Sequence, residues 1–166
     1  MHLRNFDGFL YIELDFLQAI PLKKLKDTYF IAVVTHFDTP LRRYLAERGN
    51  IIIIDINKNL KETLQISAKV LREGKNLVIF PEGARTRDGE LQEFKKTFAI
   101  LSKELNIPVV PFGIRGAYES MPYGSSFPKS SPIDIKFFDE IEPEELTIDE
   151  IVQEARKEIN DWLKED

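Results

Sequence analysis

Short β-branched apolar runs alternate with amphipathic stretches along most of this chain. Residues 29–35 (YFIAVVT) read as a buried strand. Thr39 then offers an N-cap with Pro40 at the first helical position, and Gly49 closes that helix. Residues 51–56 form a second strand, apolar enough to be covered on both faces. Asn59 caps the next helix, whose stripe is Leu60, Leu64, Ala68 and Leu71, and Gly74 ends it. Residues 77–80 make a third strand, 93–105 a helix, 109–114 a fourth strand and 133–138 a fifth. Thr147 and Glu150 form a capping box that opens a last helix, burying Ile151, Ala155, Ile159 and Trp162. This alternation predicts a single α/β domain with a largely parallel central sheet flanked by helices.

Two stretches depart from the pattern. Residues 116–132 carry no periodicity, which fits a functional loop or a mobile surface excursion, and the pattern leaves both open. Near the N-terminus, Phe6, Phe9, Leu10, Ile12, Phe16 and Leu17 make a first helix apolar around its circumference. Such a helix is buried in a core or lies at an interface.

Composition narrows the chemistry. The 166 residues include no cysteine, which removes disulfides, thiolate metal sites and thiol nucleophiles. A net charge of −5 argues against a nucleic-acid partner. The charge is uneven: acid gathers in residues 139–166, while Arg85, Arg87, Lys95 and Lys96 lie in a basic middle. No apolar run approaches the roughly 20 residues that span a bilayer. No secretory signal pattern opens the chain.

Only two histidines are present. His2 precedes Asp7 by five residues, a spacing that places the two on different faces of a regular helix. They meet if His2 lies in a loop and Asp7 in the first helical turn after an Asn5 cap. An aspartate so placed would fix the imidazole tautomer for general-base work; the alternative is a solvated terminal histidine. His36 and Asp38 share a face at a strand end, but with no third ligand in view the structural reading is preferred. In residues 80–87 (FPEGARTR) a strand ends in proline and glycine and two arginines follow. Guanidinium groups suit bidentate phosphate recognition. A solvated basic loop with Glu82 paired to an arginine is the alternative, and chemistry alone leaves the two open. No nucleophile-elbow serine and no Gly-x-x-x-x-Gly-Lys loop is present, so direct attack by a substrate hydroxyl fits best.

His2-x4-Asp7 followed by Phe80-Pro-Glu-Gly83 resembles the signature of the glycerol-phosphate and lysophosphatidate acyltransferase family, an HX4D motif with its downstream partner. Phe94-Lys-Lys96 and Ile107-Pro-Val-Val-Pro111 resemble that family's later segments, so the likeness covers residues 2 to about 116. The resemblance implies that His2 deprotonates an acceptor hydroxyl, which attacks an acyl thioester, while Asp7 orients His2. It further implies substrate contacts by Pro81, Glu82, Gly83, Arg85, Thr86 and Pro111, with Arg85 on the acceptor phosphate. Three positions depart from the family pattern: Ala84-Arg85-Thr86 after the glycine, Thr97 after Phe-Lys-Lys, and no arginine at the end of residues 49–57. The last puts the acceptor in doubt, because that arginine is a phosphate contact in the family. The segment is most similar to the acyltransferase modules fused to acyl-activating enzymes.

The expected activity is O-acyl transfer from acyl-CoA or acyl-carrier protein to lysophosphatidate, another lysophospholipid or glycerol phosphate. No metal or bound cofactor is needed. The resemblance places residues 1–166 as a catalytic domain cut from a longer protein, with peripheral contact on the cytoplasmic side of a membrane; the fragment itself is expected to be soluble. A non-catalytic lipid-binding or interaction module with the same fold is the rival reading.

Overall fold

A computed structural model of the chain describes residues 22–33, 44, 46, 48–54, 60–125, 127 and 129–165. The chain divides into two compact units, one of Pro21–Phe80 and one that includes Pro81–Asp166.

In the first unit, α1 (Leu22–Leu25) leads into β1 (Thr28–Val33), followed by β2 (Ile51–Ile54), α2 (Leu60–Arg72) and β3 (Asn76–Val78). The strands form one parallel sheet in the order β2-β1-β3, with Phe30 opposite Ile51 and Tyr29 opposite Leu77. Parallel neighbours cannot be joined by a tight turn, so helical segments fill the crossovers. Tyr44, Ala46 and Arg48 are helical in the first crossover, and α2 fills the second. Central β1 buries Phe30 and Ala32. On β2 only Ile52 is fully buried, so the expectation of a strand covered on both faces gives way to a half-covered one.

Two details of this unit differ from the sequence reading. The residue in the left-handed region after the first crossover helix is Asn50 (φ 55°), not Gly49. Asparagine enters that region more readily than most L residues, and its Nδ2 donates to the distant carbonyls of Lys26 (3.0 Å) and Thr28 (3.3 Å). On α2 the buried line is Thr63, Ser67 and Val70, one position before the Leu64, Ala68 and Leu71 stripe, which is half-buried. Two hydroxyl residues occupy the centre of the face, which an apolar periodicity cannot register. Gly74 (φ 72°) ends the helix as expected.

The second unit holds α3 (Thr97–Leu105), β4 (Phe112–Arg115), α4 (Ala117–Ser120), β5 (Asp134–Phe137) and α5 (Ile148–Leu163). β4 and β5 pair antiparallel, Phe112 opposite Phe137 and Arg115 opposite Asp134, as a sheet of their own beside a Val109–Ile141 bridge. The largely parallel character therefore belongs to the three-stranded sheet. On α5, Ile151, Ala155, Ile159 and Trp162 are buried as the spacing predicts. Ile151 and Ala155 join Ala99 and Ile141 in a core where burying one isoleucine stabilises by about 1.5–3 kcal/mol. The capping box is present: Thr147 Oγ1 accepts from Glu150 N at 3.3 Å, and Thr147 N donates to the Glu150 carboxylate at 2.7 Å. Gly113 lets the indole of Trp162 lie against β4, since a Cβ there would stand 2.7 Å from two ring carbons.

Among the described residues, no helix is long and apolar enough to cross a membrane.

Candidate active-site loop

β3 ends at Val78, and the chain turns at Pro81 and Glu82. Gly83 (φ 72°) completes the turn in a conformation that favours glycine. A side chain there would also strike the stem of Lys95, whose Cε would lie 2.9 Å from the added Cβ.

Backbone and carboxylate bonds tie the turn to residues 91–95. Lys95 N donates to the Pro81 carbonyl at 2.9 Å, and Gln92 N donates to Glu82 Oε2 at 2.8 Å. The Lys95 bond also explains why α3 starts at Thr97 instead of residue 93: the chain at 95 is committed to the loop, and Ile100 N to Lys96 O (2.9 Å) opens the helix. From α5, Arg156 donates to the carbonyls of Leu91 (3.2 Å) and Gln92 (3.3 Å). Burial pushes the Glu82 carboxyl above its ordinary value, while the Gln92 N–H and the Arg156 charge pull it back. Glu82 is a brace of the loop and forms no arginine pair among the described residues.

Thr86 is a brace too. Its hydroxyl donates to Asp88 Oδ1 at 2.8 Å and accepts from Gly89 N at 3.1 Å, closing the turn before Glu90. The Thr86 hydroxyl and the Glu90 N–H hold the Asp88 carboxyl below its ordinary range. Pro111 lies buried at the start of β4, where its carbonyl accepts from Phe138 N at 3.0 Å. This ties Pro111 to the β4–β5 ladder.

Arg85 and Arg87 remain. Arg85 is half-buried, and its Nη1 atom is shielded from solvent with no hydrogen-bond partner. Both guanidinium groups lie over the ring of Tyr123, at 5.8 Å for Arg85 and 5.1 Å for Arg87. Tyr123 belongs to residues 116–132, the segment without periodicity. That segment contains α4, and its Tyr118 hydroxyl donates to the Arg87 carbonyl at 3.1 Å while its ring packs on Gly89. The sequence reading placed Lys95 in the basic middle but missed Tyr118 and Tyr123 as neighbours of the loop. No local pattern marks such long-range pairings, although the length of the segment was itself a signal. His2, Asp7, His36 and Asp38 lie outside the described residues. Among the described residues, no group of three or more metal-ligating side chains gathers.

A braced turn carrying two cations can grip an anion. Comparison with known proteins gives that arrangement a setting. The model of the acyltransferase family matches residues 2–115. A 1-acyl-sn-glycerol-3-phosphate acyltransferase of Limnanthes douglasii is 31% identical over 57% of this chain and 32% of its own length. One from Cocos nucifera is 30% identical over 49% of this chain and 26% of its own. This chain thus spans between about a quarter and a third of the length of these curated relatives. The crystal structure of the 1-acyl-sn-glycerophosphate acyltransferase PlsC from Thermotoga maritima shares the fold, with a TM-score of 0.73 at 21% identity over 83% of this chain and 56% of that one. The match of residues 2–115 spans more than half of the sequence, and on that ground this chain belongs to the acyltransferase family.

Proposed function

We propose that this chain transfers a fatty acyl group from an acyl thioester to the hydroxyl of lysophosphatidate or a closely similar lysophospholipid. The observation that carries this reading is the Arg85–Arg87 pair. Two guanidinium groups stand on a turn braced from residues 91–95 and from α5, and neither engages a carboxylate among the described residues. Such a pair suits the phosphate of an acceptor, since planar guanidinium forks match phosphate oxygens two at a time. The activity for which the curated relatives are named, acyl transfer to 1-acyl-sn-glycerol 3-phosphate, supports the reaction class.

His2 takes the proton of the acceptor hydroxyl, and the oxygen attacks the thioester carbonyl. Collapse of the tetrahedral intermediate expels the thiolate, which leaves as the thiol on receiving a proton from His2. Asp7 holds the imidazole and stabilises its charged form. Arg85 fixes the acceptor through its phosphate, so the hydroxyl presented to the base is set by the distance between the two ends of the headgroup. Acyl-CoA and acyl-carrier protein both supply the required thioester. No metal or bound cofactor enters these steps. The lipid acceptor places the working protein at a membrane surface by peripheral contact.

Purified protein incubated with acyl-CoA, with and without a panel of lysophospholipids and glycerol 3-phosphate, tests the reading. Thiol release that depends on a phosphate-bearing acceptor is the expected result. Acceptor-independent release would make this a thioesterase, and no turnover on any member of the panel would favour a lipid-binding module.

A further inference from the structure

The Arg85–Arg87 arrangement poses an electrostatic question. Two like charges on alternate residues of one loop repel each other, and long flexible side chains separate if nothing opposes that. Here one aromatic ring opposes it. The face of Tyr123 carries the negative side of its quadrupole, and both guanidinium carbons lie within the roughly 6 Å over which a cation is attracted to a ring. One ring therefore gathers both cations toward a common point.

Tyr123 is itself held in place. Met121, two residues earlier, is 3% exposed and anchors the segment. Ser125 N donates to the Pro122 carbonyl at 3.0 Å across the Tyr123–Gly124 turn, where Gly124 has φ 84°. The excursion is closed at its base by Lys129 N to Ser120 O at 2.7 Å and by the Ser120 hydroxyl to the Lys129 carbonyl at 3.2 Å. Yet Tyr123 is 54% exposed, which core packing does not require of a large aromatic side chain. Its ring carries both guanidinium groups.

We propose that Tyr123 is a positioning residue that holds Arg85 and Arg87 as a single two-armed grip for the acceptor's phosphate monoester. This rests on the phosphate role given to Arg85 above and extends it to Arg87 and to a residue of a separate loop. A terminal phosphate monoester presents three oxygens and close to two charges, enough for both forks at once. A phosphodiester, with two free oxygens and one charge, engages only one of them fully. The grip thereby favours a terminal phosphate over a substituted headgroup.

The full chain titrated with sn-glycerol 3-phosphate, followed through the arginine Nε–H signals in NMR spectra, tests this without depending on turnover. Tyr123→Leu should weaken binding by about 5–30-fold, the loss of two exposed cation–ring contacts, while Tyr123→Phe, which keeps the ring face, stays within about twofold. Arg85→Ala serves as the reference. If Arg85→Ala weakens binding and Tyr123→Leu does not, the positioning role is wrong and the phosphate reading stands. If wild type shows no binding, or Arg85→Ala binds like wild type, the phosphate reading falls and takes this inference with it. Equal losses in the Leu and Phe variants would assign the effect to the hydroxyl and overturn the stacking argument. Coenzyme A, which also carries a phosphate monoester, is titrated in parallel. A Tyr123→Leu loss confined to coenzyme A would place the grip on the donor and overturn the proposal. In acceptor-dependent assays the same variant should raise the acceptor KM and leave kcat and the donor KM near wild type, a split that a merely structural defect would not give.

Discussion

Two pairs of arginines in the second unit are used in opposite ways. Arg115 lies over the ring of Trp162 at 4.5 Å and also donates from Nη2 to the Trp162 carbonyl. Arg156 donates to two loop carbonyls and faces Glu93 at 3.8 Å. Both are tied to the backbone of neighbouring segments. Arg85 and Arg87 have a ring and no acceptor among the described residues. Arg156, bonded to two carbonyls, is a strut, whereas Arg115 combines one carbonyl bond with a ring contact and leaves its Nε without a partner. An arginine that rests on an aromatic face without such bonds keeps its in-plane donors available for an incoming anion. The difference between Arg156 and the Arg85–Arg87 pair is that both donors of Arg156 shown here are taken by backbone carbonyls, while the pair has no such acceptor among the described residues.

The contrast can be widened by removing the chemistry while leaving both pairs intact. His2→Ala is expected to lower kcat by about 10²–10⁴-fold, with the acceptor KM and the melting temperature little changed. Asp7→Asn should cost less if its task is to orient His2. A His2→Ala protein with near-normal turnover would remove the general base from the account.

Next in size comes the strut. Arg156→Ala leaves the carbonyls of Leu91 and Gln92 without these donors and should cost about 1–2 kcal/mol of stability, read by denaturant unfolding. Any change in acceptor KM should follow from loosening of the loop and be smaller than that of Arg85→Ala. If Arg156→Ala leaves stability unchanged yet raises the acceptor KM as far as Arg85→Ala does, the division into struts and grips fails.

Sequence made the last helix legible and left the site half-read, for identifiable reasons. On α5 the apolar spacing, the Thr147 cap and Glu150 all point to one structure, and burial follows them residue by residue. On α2 the stripe is displaced because Thr63 and Ser67 are buried despite their hydroxyls. The turn at Gly83 was visible, since proline and glycine after a strand leave few conformations. The bracing of Glu82 and Thr86 was not, because it depends on Gln92 and Asp88 folding back. Least legible was the contact of Tyr123 with residues 85 and 87, a pairing between distant segments that no period encodes.

Smaller effects calibrate the scaffold away from both arginine pairs. Thr147→Ala removes the cap of α5 and should cost about 1 kcal/mol in thermal or denaturant unfolding, with no effect on acceptor KM. The same cap responds to acid. The Thr147 hydroxyl and N–H hold the Glu150 carboxyl below its ordinary value of 4.5, so its contribution is present above that pH and is lost as pH falls through the depressed value. The melting temperature should therefore drop on acidification below about 4.5, and Glu150→Gln should remove part of that dependence. An unaltered pH profile in Glu150→Gln would show that the cap carboxylate does not contribute.

The central claim is that the Phe80–Arg87 loop grips the phosphate of the acyl acceptor through Arg85. Acceptor KM measured for wild type and Arg85→Ala, with a lysophospholipid bearing a terminal phosphate and a matched monoacylglycerol lacking it, tests this most directly. The account predicts a loss of about 1.5–3 kcal/mol in kcat/KM for the phosphorylated acceptor, partial recovery in Arg85→Lys, which cannot reproduce the bidentate fork, and little change for the phosphate-free acceptor or the donor. Equal losses for the two acceptors would contradict it and return Arg85 to a structural role.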